Sequence, residues 1–139
     1  NFLKFQPEGS DERAMLETAL REPSLYDDVI AELAKAGFAI PEGVYKRAPG
    51  APYEPSADVE AAWLAVYRDT QEYWPLYQLA EKLLDLDDAL ISWRHKHVLT
   101  VERIIGRKRG TGGTEGVGYL QQTLSRRAFP EIWSLRTSL

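Results

Sequence analysis

The chain has 139 residues, 44% of them hydrophobic, a net charge of −4 and no cysteine. That length suits about one domain with a real core, and the lack of cysteine excludes a disulfide framework and makes an intracellular, cytoplasmic home the simple reading. No apolar run approaches the roughly 18 residues of a membrane span, no signal peptide is visible, and an acidic chain without a basic stripe interleaved with aromatics argues against nucleic acid.

The chain opens Asn1-Phe-Leu-Lys-Phe with no methionine, as if cut from something longer. Residues 2–9 read as irregular chain or the tail of a missing element. Ser10-Asp-Glu-Arg predicts a helix start, with acids in the first turn favouring the helix dipole. Met15, Leu16, Ala19 and Leu20 follow at helical spacing, and Pro23 breaks the pattern. Ser24 predicts a second cap, with Leu25, Tyr26, Val29, Ile30 and Leu33 on the buried side and Gly37 just past the end. Both helices read as packing elements without chemistry.

Residues 40–55 hold half of the eight prolines and predict a loop with one short helical turn over 42–46. This is the best internal boundary, although its flanks are too small to be separate domains. Ser56 opens a third helix with Val59, Trp63, Val66 and Tyr67 inward. Trp74-Pro75 interrupts it, and a fourth helix runs from about Leu76 to Arg107. A short helix follows over 117–124, and Pro130 begins a last one. No strand-like alternation of useful length, no repeat and no low-complexity tract appears. The expectation is all-α, with residues 1–139 forming one portion of a single domain.

The fourth helix carries the more informative pattern. With a step of about 100° per residue and His97 at zero, Leu79, Leu83, Leu86, Leu90, Trp93, Val101 and Ile104 all fall within about 40° of it. His97 is thus expected at the centre of a buried apolar stripe, and His95 on the opposite side. The acids Asp85, Asp87 and Asp88 fall at about −120°, 80° and 180° on the same step; they splay apart and read as solvated surface. A buried imidazole needs partners for its nitrogens, so it is a satisfied core residue or a metal ligand. With no cysteine and no second histidine on that face, an ordinary zinc site is not supported. Haem iron needs only one protein nitrogen, and its macrocycle wants an apolar wall. The pattern permits haem without proving it, and for one histidine alone a satisfied core residue is the commoner case.

Five of the ten glycines (Gly110, Gly112, Gly113, Gly116 and Gly118) lie within nine positions. Such a loop has an unhindered backbone whose amides can close around an anionic or polar ligand. A dinucleotide fingerprint would need glycine at Glu115 and a preceding strand; a P-loop would need a terminal Gly-Lys-Ser/Thr. Neither is present, and a flexible linker is the plain alternative. Charge is uneven: residues 1–90 hold 8 basic and 18 acidic groups, a net of −10, whereas 91–139 hold 9 and 3, a net of +6. The basic third, which coincides with His97 and the glycines, fits a solvated surface or an anionic ligand.

The run Trp93-Arg-x-x-His97-x-x-Thr-Val-Glu-Arg-Ile-Ile-Gly106-x-Lys-Arg-Gly-Thr111-Gly-Gly-Thr-x-Gly-Val-x-Tyr-Leu120 resembles the haem-and-substrate signature of the tryptophan 2,3-dioxygenase family, bacterial type. Phe129-Pro-Glu-Ile-Trp-Ser-Leu-Arg-Thr137 and Ala61-Ala-Trp-Leu-Ala-Val-Tyr-Arg-Asp69 are similar to two further segments, so the likeness covers nearly the whole chain. It implies a haem b held by His97 as axial iron ligand, with the opposite face open to O2. It implies insertion of both oxygen atoms across the indole C2–C3 bond of L-tryptophan to give N-formylkynurenine, the first step of the kynurenine pathway. Thr111 matches the loop threonine that engages the substrate's ammonium and carboxylate region. No residue here is assigned a catalytic acid–base role. Arg103, Arg107, Lys108 and Arg109 are candidate partners for haem propionates, with solvation expected for at least two of them. Trp93, one turn before His97, is expected to pack beneath the porphyrin.

The chain departs from the family's pattern upstream. The distal aromatic wall, the distal histidine and the carboxylate-gripping arginine are not in it. It reads as the C-terminal portion of a longer polypeptide that assembles as a homotetramer and needs its N-terminal portion to turn over. The competing readings are a non-catalytic haem-binding relative and a helical interaction module with His97 in its core.

Overall fold

In the computed structural model, residues 2–48, 50–106 and 116–139 are described. Every regular element among them is helical: a 3-10 turn at Phe2–Phe5, then α1 (Asp11–Arg21), α2 (Leu25–Lys35), α3 (Glu42–Tyr45), α4 (Ala57–Arg68), α5 (Trp74–Ile105), α6 (Gly116–Gln122), α7 (Pro130–Ser134) and a 3-10 turn at Leu135–Thr137. The fold is all-α. The chain divides into two compact units, residues 1–77 with 131–139, and residues 78–130. The proline-rich stretch lies inside the first unit, and the division falls within α5 instead.

The first unit is built on local capping and a few long-range polar ties. The Arg13 amide donates to Ser10 Oγ at 3.2 Å to start α1. Ser24 and Asp27 form a reciprocal capping box at the start of α2, which satisfies two otherwise orphaned backbone donors. Asp27 also holds the proline-rich loop: Arg47 donates Nε to Oδ1 and Nη2 to Oδ2, both at 2.8 Å, and Nη1 to the Ala51 carbonyl at 2.6 Å. Burial alone would raise the Asp27 carboxyl. Hydrogen bonds from Ser24 and Arg47 outweigh it and hold the group below the ordinary carboxylate range. Tyr26 and Tyr53 stack with ring centroids 4.1 Å apart, and the Arg47 guanidinium lies 5.5 Å from the Tyr53 centroid.

The core of this unit comprises Val29, Ile30, Leu33, Val59, Trp63, Val66, Ile132 and Leu135, all buried. At its centre is a carboxylate. Glu131, on α7, is buried; its Oε1 accepts the Tyr26 hydroxyl at 2.6 Å and the Ser56 amide at 3.0 Å. Burial, then the Glu131 hydrogen bond, pushes the Tyr26 phenol far above its usual value. Helix α1 packs lightly, against the 3-10 turn at Phe2–Phe5. No residue of α1 is buried, and Met15 is 73% exposed.

The expected interruption at Trp74-Pro75 is a full break. Helix α4 stops at Arg68, and Asp69 accepts the Glu72 amide at 3.1 Å in the turn that leads into α5. Pro75 then sits in the first turn of α5, where its missing N–H costs nothing. Between Leu76 and Ile105 the helix contains neither glycine nor proline, and good helix formers dominate. It ends at Gly106, whose φ of +60° is a conformation that side chains with a Cβ adopt at a cost.

In the second unit, α5 holds the chain on the far side of the glycine-rich segment. Asp87 Oδ1 accepts the Ala128 amide at 3.0 Å, and Arg94 Nη1 donates to the Arg126 carbonyl at 2.6 Å. The solvated surface expected for the acid cluster is therefore wrong for Asp87, which is fully buried. Asp85 and Asp88 are exposed, as expected.

A candidate haem-facing helix surface

Helix α5 has two apolar arcs. The buried positions are Ala80, Leu83, Asp87 and Val98, centred about 80° round the helix from His97. His97 is therefore not at the centre of the buried side, as its apolar neighbours in sequence had suggested. It lies at the edge of that side and is partly buried. The arc centred on His97 stays largely open: Leu86 is 40% exposed, Trp93 59% and Ile104 74%. Leu90 and Val101, between the two arcs, are partly buried.

The geometry around the imidazole is specific. Trp93 and His97 stand one helical turn apart, the spacing at which side chains meet. Their rings are stacked, with centroids 5.1 Å apart and planes 7° from parallel. Among the described residues, neither ring nitrogen of His97 has a hydrogen-bond partner. A core histidine would have its nitrogens satisfied by neighbours. Among the described residues the His97 nitrogens have no protein partner, and they stand on the apolar arc of α5.

That surface fits a haem better than it fits a bare ion. Among the described residues no group of three or more His, Asp or Glu side chains could hold a metal ion. A macrocycle that brings its own equatorial nitrogens asks for one axial imidazole and a hydrocarbon wall, and this arc of α5 has both. Four of the remaining sequence-predicted site residues, Thr111, Arg107, Lys108 and Arg109, lie outside the described residues. Arg103 and His95 are exposed. No helix among the described residues is long and apolar enough to cross a membrane.

Sequence reasoning missed Asp87 and Arg94, which tie residues 126–128 to α5. Asp87 lies about 40° from Leu83 on a step of 100° per residue; that proximity to an apolar neighbour was the available signal.

Comparison with known proteins bears on the same residues. A family profile described as tryptophan 2,3-dioxygenase matches residues 8–139. The tryptophan 2,3-dioxygenase of Caulobacter vibrioides is 63% identical over 139 residues, which is 100% of this chain and 53% of that protein. That of Bacillus thuringiensis subsp. konkukian is 54% identical over 137 residues, 99% of this chain and 49% of that protein. That of Ralstonia pickettii is 54% identical over 124 residues, 89% of this chain and 45% of that protein. The chain spans about half the length of the curated relatives it matches. With the helix surface of His97 and Trp93 inside the matched region, the chain belongs to the tryptophan 2,3-dioxygenase family.

Proposed function

We propose that this chain supplies the proximal side of the haem site, and the loop that closes over substrate, in an enzyme that converts L-tryptophan and O2 to N-formylkynurenine, the entry reaction of tryptophan catabolism by the kynurenine pathway. The observation that carries the proposal is the uncommitted imidazole of His97 on the open apolar arc of α5. Family membership supports it.

Haem b, when bound, would supply the iron redox chemistry that activates O2 for insertion across the indole C2–C3 bond. The chain's own residues do the rest of the work on this side. His97 would hold the group through one imidazole nitrogen. Leu86 and Ile104 would cover a flat apolar disc and keep water from it. Arg103 is a candidate counter-charge for a propionate. Thr111 would engage the ammonium and carboxylate region of the substrate, and the glycines around it would let the backbone approach closely. The distal wall and the arginine for the substrate carboxylate would come from sequence outside this chain, within a homotetramer.

Replacement of His97 by alanine in the intact protein tests the reading. The expected result is loss of haem, measured as haem per protomer together with the visible spectrum. Stoichiometric haem with an unchanged spectrum would overturn it.

A further inference from the structure

A histidine side chain has a staggered χ1 but a broad, roughly two-fold χ2. An axial imidazole therefore needs something to fix the plane of its ring. The usual device is a hydrogen bond from the second ring nitrogen to a carboxylate or carbonyl. Among the described residues His97 has no such bond. It has the indole of Trp93, in a parallel offset stack at 5.1 Å and 7°.

We propose that Trp93 is a positioning residue: its indole face sets the rotation of the His97 ring about the Cβ–Cγ bond, and so the plane that the imidazole presents to an axial metal. The proposal rests on the reading of His97 as the axial ligand and goes beyond it. Two observations carry it. The rings are parallel at a centroid separation within the favourable range for offset aromatic pairs, so turning the imidazole out of plane breaks the stack. And Trp93 stands one helical turn before His97 on α5, the spacing at which side chains meet, so the helix backbone itself holds the two rings within reach. Stacking of ordinary strength favours the parallel arrangement by roughly 2–10-fold over unstacked rotamers.

The test compares Trp93→Phe with Trp93→Leu in the intact haem-loaded protein. Phenylalanine keeps an aromatic face; leucine keeps apolar bulk without one. The readouts are the iron–histidine stretching band of the ferrous protein and the rhombicity of the ferric low-spin EPR signal, both sensitive to the imidazole plane. Haem stoichiometry is measured alongside. The expected result is a band and rhombicity close to the parent in Trp93→Phe, and a shifted or broadened set in Trp93→Leu at unchanged haem content. Spectra unchanged in Trp93→Leu would overturn the proposal, and so would equal perturbation in both variants. A parent protein with no iron–histidine band would overturn the axial assignment itself, a result distinct from an intact band that leucine leaves unmoved.

Discussion

Asp87, fully buried on α5, accepts the backbone amide of Ala128, 41 residues further along the chain, at 3.0 Å. Seven residues on, and so on the same face of the helix, Arg94 donates to the Arg126 carbonyl at 2.6 Å. The helix that bears His97 thus holds the segment that follows α6 at two points.

Asp87→Ala is expected to destabilise the protein by about 1–3 kcal/mol, because the buried Asp87 acceptor of the Ala128 amide is lost. Asp87→Asn, which keeps an acceptor oxygen, should lose less. Urea unfolding of the three proteins checks the order. Equal midpoints for alanine and parent would show that the Ala128 bond contributes nothing.

The Asp27–Arg47 pair gives a pH prediction. The folded carboxyl lies below its usual 3.8, so the unfolded chain binds the proton more readily. The stabilisation is fully present above about pH 4 and fades as pH falls through the folded value. Asp27→Asn should therefore cost stability at neutral pH and narrow the gap to the parent in acid. Melting temperatures between pH 3 and 7 would show it; a gap that stays constant with pH would refute the assignment.

Tyr26→Phe removes the hydroxyl donated to buried Glu131. The expected cost is about 1–3 kcal/mol. A double-mutant cycle with Glu131→Gln should show coupling between the two sites. In the parent, the raised Tyr26 phenol should not ionise with ordinary tyrosines near 10. Its neutral form belongs to the fold, so the stabilisation is lost as pH climbs toward the folded value. Ultraviolet difference titration should find one tyrosine that ionises only on alkaline unfolding.

Thr111→Ala in the intact protein is expected to retain haem and lose roughly 10–100-fold in kcat/KM for tryptophan, the scale of one hydrogen bond to a charged group. Steady-state kinetics with the visible spectrum as control measures both. Parent-like kinetics would remove the loop threonine from substrate binding.

Local chemistry made much of this fold legible. Ser10 and Ser24 cap the helices that their positions predict, and Pro75 and Pro130 sit in the first turns of α5 and α7. What the sequence obscured depends on distant partners. An angular projection finds the apolar side of α5, but that side is wider than what is buried, and nothing in a single helix says which arc is covered. Asp87 read as surface because its partner amide lies in a segment far along the chain. Glu131 drew no notice because its donors, Tyr26 and Ser56, are 105 and 75 residues away. The stacking of Trp93 on His97 is an i,i+4 relationship and was half visible: the spacing was plain, the ring planes were not.

The open arc of α5 also bears on how this polypeptide behaves before it is loaded. A stripe of leucine, tryptophan and isoleucine that nothing among the described residues covers attracts other greasy surfaces. On the proposed reading, porphyrin added during synthesis would mask that stripe, so supply of the pigment should govern how much material stays out of aggregates, independently of any turnover.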